Sequence, residues 1–266
     1  MKKKDNRYSK LLLFAVPAGL IAAGTIAFFV VRSHKPDQTC ADNVARLEAL
    51  ASSDISQTEK QLRDLRNKDK SAAQEASQEG ITDGSAVLDD IAIKQDFQGT
   101  VISGDSITES IWEYGFLDTD VVVSKRGLSI AAADEQIETA IGLQPSVIFM
   151  AFGSNDLETY GDDASSFIDA YRVQVQKLKD ALPDAPIYIN GILPILQSTI
   201  DSVPALGYYP QYNEALQSFC QEMGCTYIDN SFIVDGNENM YEPDGEHVIR
   251  DFYPKWLTYM AEMAGL

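Results

Sequence analysis

Histidine is nearly absent from this 266-residue chain: there are two, His34 and His247. Cysteine is scarce too, with Cys40, Cys220 and Cys225 making three. So few thiols cannot staple a disulfide scaffold, and with two imidazoles they match no zinc spacing, so no metal site is expected. Cys220 and Cys225 are close enough to pair, and reduced, partly buried thiols are the equal alternative. No internal repeat is visible. Basic residues are sparse beyond residue 36, where fourteen Lys/Arg face 39 Asp/Glu, a sum of −25. A body this acidic repels DNA, RNA and other polyanions, which excludes nucleic acid as a partner and favours a neutral or cationic substrate.

Residues 1–36 differ in sign, with seven Lys/Arg and one Asp giving +6. After the basic tail of residues 1–10, Leu11 to Val31 forms 21 uncharged residues. At ~1.5 Å per residue this run reaches about 30 Å, the thickness of a bilayer's hydrocarbon core. It is too long for the core of a cleaved signal peptide, and "VRSHKP" after it offers no small-x-small cleavage site. Cys40 follows Asp37, Gln38 and Thr39, which is no lipidation signal. The expectation is a single-pass plasma-membrane anchor over 11–31, N-terminus cytoplasmic because five Lys/Arg precede the span, with the acidic bulk extracytoplasmic.

Residues 32–96 read as a stalk or linker, partly helical. Leu47, Ala51, Thr58, Leu62 and Leu65 recur at near-helical spacing and Gly80 is a stop signal, but the stripe is too thin for a core. A disordered linker is the alternative. From residue 97 to 266 the pattern changes. "GTVIS" (99–103), "DVVVS" (120–124), "SVIFMAF" (146–152), "PIYINGI" (186–192) and "CTYID" (225–229) read as strands buried on both faces. Helical stripes lie between them: Ile130, Ala133, Ile137 and Ile141; Phe167, Tyr171, Val175, Leu178 and Leu182; Tyr212, Leu216, Phe219 and Met223 before Gly224. A last helix from about Asp251 carries Phe252, Trp256, Tyr259, Met260 and Met263. This alternation predicts an α/β domain with a parallel sheet covered on both sides.

In such a sheet, ligands gather beyond the C-terminal ends of the strands. Gly104, Asp105 and Ser106 follow the first run, Arg126 and Gly127 the second, and Gly153, Ser154, Asn155 and Asp156 the third. Ser106 is the candidate nucleophile. It needs a base, and since His34 lies at the membrane boundary, His247 is that base. Asp244, three residues earlier, is placed to accept the imidazole Nδ1–H. The backbone N–H of Ser106, the N–H of Gly127 and the side-chain amide of Asn155 are candidate oxyanion donors. Asp105 and Asp156 read as loop holders. Arg126 is a candidate substrate contact or a surface cap. Trp112, Tyr114, Tyr160, Tyr208 and Tyr209 are candidates for a pocket lining, with core or rim packing the plainer reading.

"GDS" at 104–106, Gly127, "GSND" at 153–156 and "DGEH" at 244–247 stand in the order of the four signature blocks of the SGNH hydrolases, or GDSL family, which residues 97–266 resemble. The older motif's Leu is missing from "GDSIT". The resemblance implies a three-layer α/β/α, flavodoxin-like fold with a five-stranded parallel sheet, esterase or acyl-transfer chemistry, and no cofactor. The favoured expectation is an anchored serine esterase removing small acyl groups, such as acetyl, from cell-surface glycans. Two alternatives stay open: an O-acyltransferase working with a membrane acyltransferase partner, and a non-catalytic binding or scaffold module.

Overall fold

The computed structural model describes residues 74–75 and 77–266. The basic tail, the expected span over 11–31, Cys40 and most of the stalk lie outside the described residues. Among the described residues no helix is long and apolar enough to cross a membrane.

Five strands, β1 (Thr100–Gly104), β2 (Val122–Ser124), β3 (Val147–Ala151), β4 (Ile187–Asn190) and β5 (Thr226–Ile228), form one parallel sheet in the order β2-β1-β3-β4-β5. That order is the flavodoxin-like one, with its switch point between β1 and β3. Four strands are an apolar run trimmed by two or three residues, and β1 is its run shifted by one, from 99–103 to Thr100–Gly104. "DVVVS" loses its first two residues to a turn in which the N–H groups of Val121 and Val122 both donate to the Asp118 carbonyl at 3.0 Å.

Successive side chains of a strand face opposite ways, so the sheet separates two cores. Ile102 and Phe149 meet Ile107 and Ile111 of α2 (Ser106–Glu113) and Phe252, Trp256 and Leu257 of α8 (Phe252–Ala264). Ile148, Met150 and Ile189 face the other layer: α3 (Asp134–Gly142), α5 (Ala164–Ala181) and α7 (Tyr209–Met223). There Ile137, Phe167, Tyr171, Val175, Tyr212, Leu216 and Phe219 supply the stripes expected from the spacing, and Gly224 ends α7 at φ +64°. The first expected stripe is not one helix. Ile130–Ala132 is a 3₁₀ turn and α3 starts only at Asp134, because the Asp156 carboxylate takes the Ile130 N–H and bends the chain there.

Described residues before 97 also pack onto the body. Residues 77–83 are helical and α1 spans Asp90–Asp96, with Asp89 capping it through the N–H groups of Ile91 and Ala92. Both segments lie against α8. Ile81 and Ile93 are fully buried, the Leu88 N–H donates to Thr258 Oγ1 at 3.0 Å, and Lys255 Nζ donates to the Thr82 carbonyl at 2.6 Å. A stripe with so few apolar residues gave no sign of this; two well-placed isoleucines suffice once a hydrophobic helix such as α8 is there to receive them.

Truncating Ile81 therefore tests whether this segment is part of the folding unit. Ile81→Ala is expected to lower stability by about 2–5 kcal/mol in urea unfolding, followed through the fluorescence of buried Trp256. A loss under about 0.5 kcal/mol would show that the segment is a passive tether.

Candidate active site

The C-terminal edge of the sheet gathers the polar residues. β1 ends in Gly104, and α2 starts at once with Ser106. A Cβ on residue 104 would lie 2.0 Å from Thr108 Oγ1 and 2.5 Å from the Ala151 carbonyl oxygen, so only glycine lets the helix turn this close to β3. Asp105 caps α2, its Oδ1 accepting the Ile107 N–H at 3.1 Å. Ser106 is then the first residue of the helix, where backbone N–H groups have no intrahelical partner.

His247 arrives from the far end of the chain. Its Nε2 lies 2.9 Å from Ser106 Oγ, across 141 residues of sequence. Its Nδ1 lies 2.9 Å from Asp244 Oδ2. The other Asp244 oxygen, Oδ1, accepts the N–H groups of Glu246 and His247, both at 2.9 Å, and so closes a tight turn. Partial burial acts to raise the Asp244 pKa, but the two N–H groups and the imidazole outweigh it and hold the carboxyl below the usual range. An ionised carboxylate only accepts, so the imidazole keeps its proton on Nδ1 and presents bare Nε2 to the serine hydroxyl.

α4 (Ser154–Tyr160) brings Asn155 to the same edge. Its Nδ2 lies 3.4 Å from both Asp105 Oδ2 and the Leu128 carbonyl oxygen. Both contacts are long, so the amide is held near Ser106 without being used up by a strong bond. Gly127, at φ +67°, turns the chain just before Leu128, and the space where its Cβ would stand is open. The sequence-expected residues Ser106, Asp244 and His247 are thus joined directly, while Asn155 and the Gly127–Leu128 turn reach them through Asp105.

Other candidates fall elsewhere. Arg126 is held by Glu109 and Glu113 of α2: its Nε donates to Glu109 Oε1 at 3.0 Å, its backbone N–H to Glu109 Oε2 at 2.7 Å and its Nη2 to Glu113. It ties the turn after β2 to α2. Trp112 and Tyr208 are exposed, the Tyr114 ring lies against Tyr253, and none of the three borders the cavity beside Asp105. The space beneath Asp105 and Ile107, about 20 Å³, is walled instead by Ala151, Phe152, Leu193 and Trp256. It has room for about one water. Cys220 and Cys225 are free thiols, and among the described residues no group of His, Cys, Asp and Glu is arranged to hold a metal.

Residues 102–253 match the GDSL-like Lipase/Acylhydrolase family. The chain belongs to that family. A search of curated proteins finds no match. Among solved structures, this acylhydrolase is similar to a lipase/acylhydrolase from Enterococcus faecalis (13% identity, 62% of this chain and 94% of that one, TM-score 0.49). It is also similar to a GDSL-like lipase from Bacteroides thetaiotaomicron (14%, 62% and 88%, 0.49) and a carbohydrate esterase family 3 protein from Talaromyces cellulolyticus (16%, 62% and 94%, 0.46).

Two carboxyls of this acylhydrolase are buried with little compensation. Burial pushes Asp105 up to about 7, with the nearby Glu246 charge adding to the rise. Burial also pushes Asp156 up to about 7, and the Asp105 charge adds to it. Each accepts one backbone N–H, which is less than a buried carboxylate needs. Their folded-state pKa values exceed the unfolded ones, so the folded state holds protons the unfolded chain has lost. The stability they contribute is complete below about pH 4 and disappears as pH rises to about 7. Asp105→Asn keeps the cap and removes the charge. It should raise stability over the parent at pH 8 by on the order of 2–4 kcal/mol and change it little at pH 4. Urea titrations of both proteins at the two pH values measure this, and equal differences at each pH would contradict it.

Proposed function

We propose that this acylhydrolase is a membrane-anchored, extracytoplasmic serine esterase that removes small acyl groups, with O-acetyl groups of cell-surface glycans as the candidate substrate. The reading is carried by the unbroken line Ser106 Oγ, His247 Nε2, His247 Nδ1, Asp244 Oδ2, with 2.9 Å at each hydrogen bond. Ser106 Oγ attacks the ester carbonyl carbon while its proton passes to His247 Nε2, and Asp244 stabilises the imidazolium that forms. The negative charge on the former carbonyl oxygen falls to the N–H groups of Ser106 and Gly127 and to the Asn155 amide. Collapse breaks the C–O bond to the alcohol, which takes the proton from His247 and leaves an acyl-serine. Water then attacks, giving His247 a proton, and the acyl group departs as a carboxylic acid as the proton returns to Ser106.

The open rim of the site favours a bulky alcohol. The side chains of His247 and Asp244 are 39% and 53% exposed, so a large alcohol can approach from the open rim. The anchor and the extracytoplasmic location rest on the uncharged run of residues 11–31 and the basic tail before it.

The purified full-length protein should hydrolyse p-nitrophenyl acetate faster than its longer-chain homologues and release acetate from acetylated glycans. Ser106→Ala should abolish turnover and labelling by a fluorophosphonate. Asn155→Ala should lower kcat by about 10²–10³-fold. Turnover that survives Ser106→Ala would overturn the reading, and a preference for long acyl chains would overturn its substrate part.

A further inference from the structure

The turn bearing the base does not hold itself in place unaided. The chain that follows β4 crosses to it and forms a short arm. At its root, Asn213 of α7 grips the backbone of Ile192 twice: Oδ1 accepts its N–H and Nδ2 donates to its carbonyl, each at 2.8 Å. Farther along, the Pro194 carbonyl accepts the Tyr241 hydroxyl at 2.6 Å, and the Leu196 N–H donates to the Gly245 carbonyl at 2.9 Å. The arm ends in α6 (Gln197–Ser202), whose Thr199 hydroxyl donates to the Asp244 carbonyl at 2.5 Å. Gly245 makes this contact possible: at φ +71°, a Cβ there would lie 2.4 Å from Thr199 Oγ1 and 3.0 Å from Leu196 Cβ.

We propose that this arm positions the base, with Thr199 as the positioning residue: by holding the Asp244 carbonyl, it sets where Asp244 Oδ2 meets His247 Nδ1 and hence where Nε2 stands relative to Ser106. This rests on the serine-esterase reading. The hydroxyl reaches neither substrate nor the reacting atoms. It acts through the backbone of a residue whose side chain orients the imidazole, in a turn that the Leu196 N–H also holds at Gly245 and that closes on itself through Glu242 N–H to His247 O (2.8 Å), Gly245 N–H to Glu242 O (2.9 Å) and, just outside it, Ile249 N–H to Met240 O (2.9 Å). Misplacement of a catalytic group by a fraction of an ångström lowers the rate with little effect on substrate binding.

The test compares Thr199→Val, which keeps the shape and loses the hydroxyl, with Thr199→Ser, which keeps the hydroxyl. In the full-length protein, Thr199→Val is expected to lower kcat for p-nitrophenyl acetate about 10-fold with KM within about twofold, and Thr199→Ser to recover most of the loss. With only two histidines in the chain, ¹⁵N-histidine NMR separates His247 once His34→Ala has assigned the other. The parent should show His247 protonated on Nδ1, and Thr199→Val a mixture of tautomers. A role confined to stability would change the amount of folded protein and leave this signature unmoved. If Thr199→Val does not fold, Tyr241→Phe, which frees the Pro194 end of the arm, must lower kcat with unchanged KM.

Unchanged kcat and unchanged His247 signals in the folded variants would overturn the positioning role while leaving the esterase reading intact. No turnover by the parent, or equal turnover by parent and Ser106→Ala, would instead overturn the esterase reading. The positioning role would then be decided by the NMR signature alone, with an unmoved tautomer rejecting it.

Discussion

The contact between Ser106 and His247 joins residues 141 apart in sequence, and no local preference of either segment could create it. It depends on the direction of the strands. Because all five run parallel, the residue after each strand emerges at one edge, and β1 and β3, adjacent at the switch point, bring Asn155 against Asp105, the residue before Ser106. The histidine needs no strand of its own. Its turn leads directly into α8, which buries Phe252, Tyr253, Trp256 and Leu257 against the sheet and so fixes where that turn can stand.

The same edge concentrates groups that cost stability. Asp105 and Asp156 are buried near a serine and an imidazole, and burial, helped by a neighbouring carboxylate in each case, raises both well above their ordinary titration range. A fold selected only for stability would replace them with amides. Their positions explain their presence in another way. Asp105 caps α2, where Ser106 sits, and also faces the Asn155 amide; Asp156 bends the chain at Ile130, next to the turn that carries Gly127 and Leu128. Each carboxyl orders one strand-end loop against another, so strain is held where geometry is most demanding.

Much of this was legible in advance because it follows from periodicity and from residue types with narrow uses. Continuous apolar runs marked all five strands, and three of the four stripes marked helices, since burial on two faces or on one stripe leaves a direct trace in composition. Ser106, Asp244 and His247 could be singled out as neighbours because histidine is so rare that elimination left one candidate, and the three side chains do meet. The failures share a cause. Ile81 and Ile93 belong to the core, yet the polar residues around them hid the fact until α8 supplied the complementary surface. The Ile130 stripe was broken by Asp156, 26 residues away. Arg126 was spent on two glutamates spaced four apart on α2, a pairing that needs the packing of that helix beside β2 to be seen.

Thr199 shows the limit most sharply. Threonine, leucine and proline in "PILQST" carry no chemical signature, and the partner of Thr199 is a backbone carbonyl 45 residues later. Side-chain identity on one strand of the argument met only main chain on the other. Gly245 held the one trace available: a glycine between Asp244 and His247 signals a tight turn, but it equally signals something packed against the turn from outside. Steric vacancy in a sequence is therefore directional information. Where the Cβ side of such a glycine is crowded, as at Gly245 and not at Gly127, the neighbour found there is a candidate for holding the adjacent side chains in place.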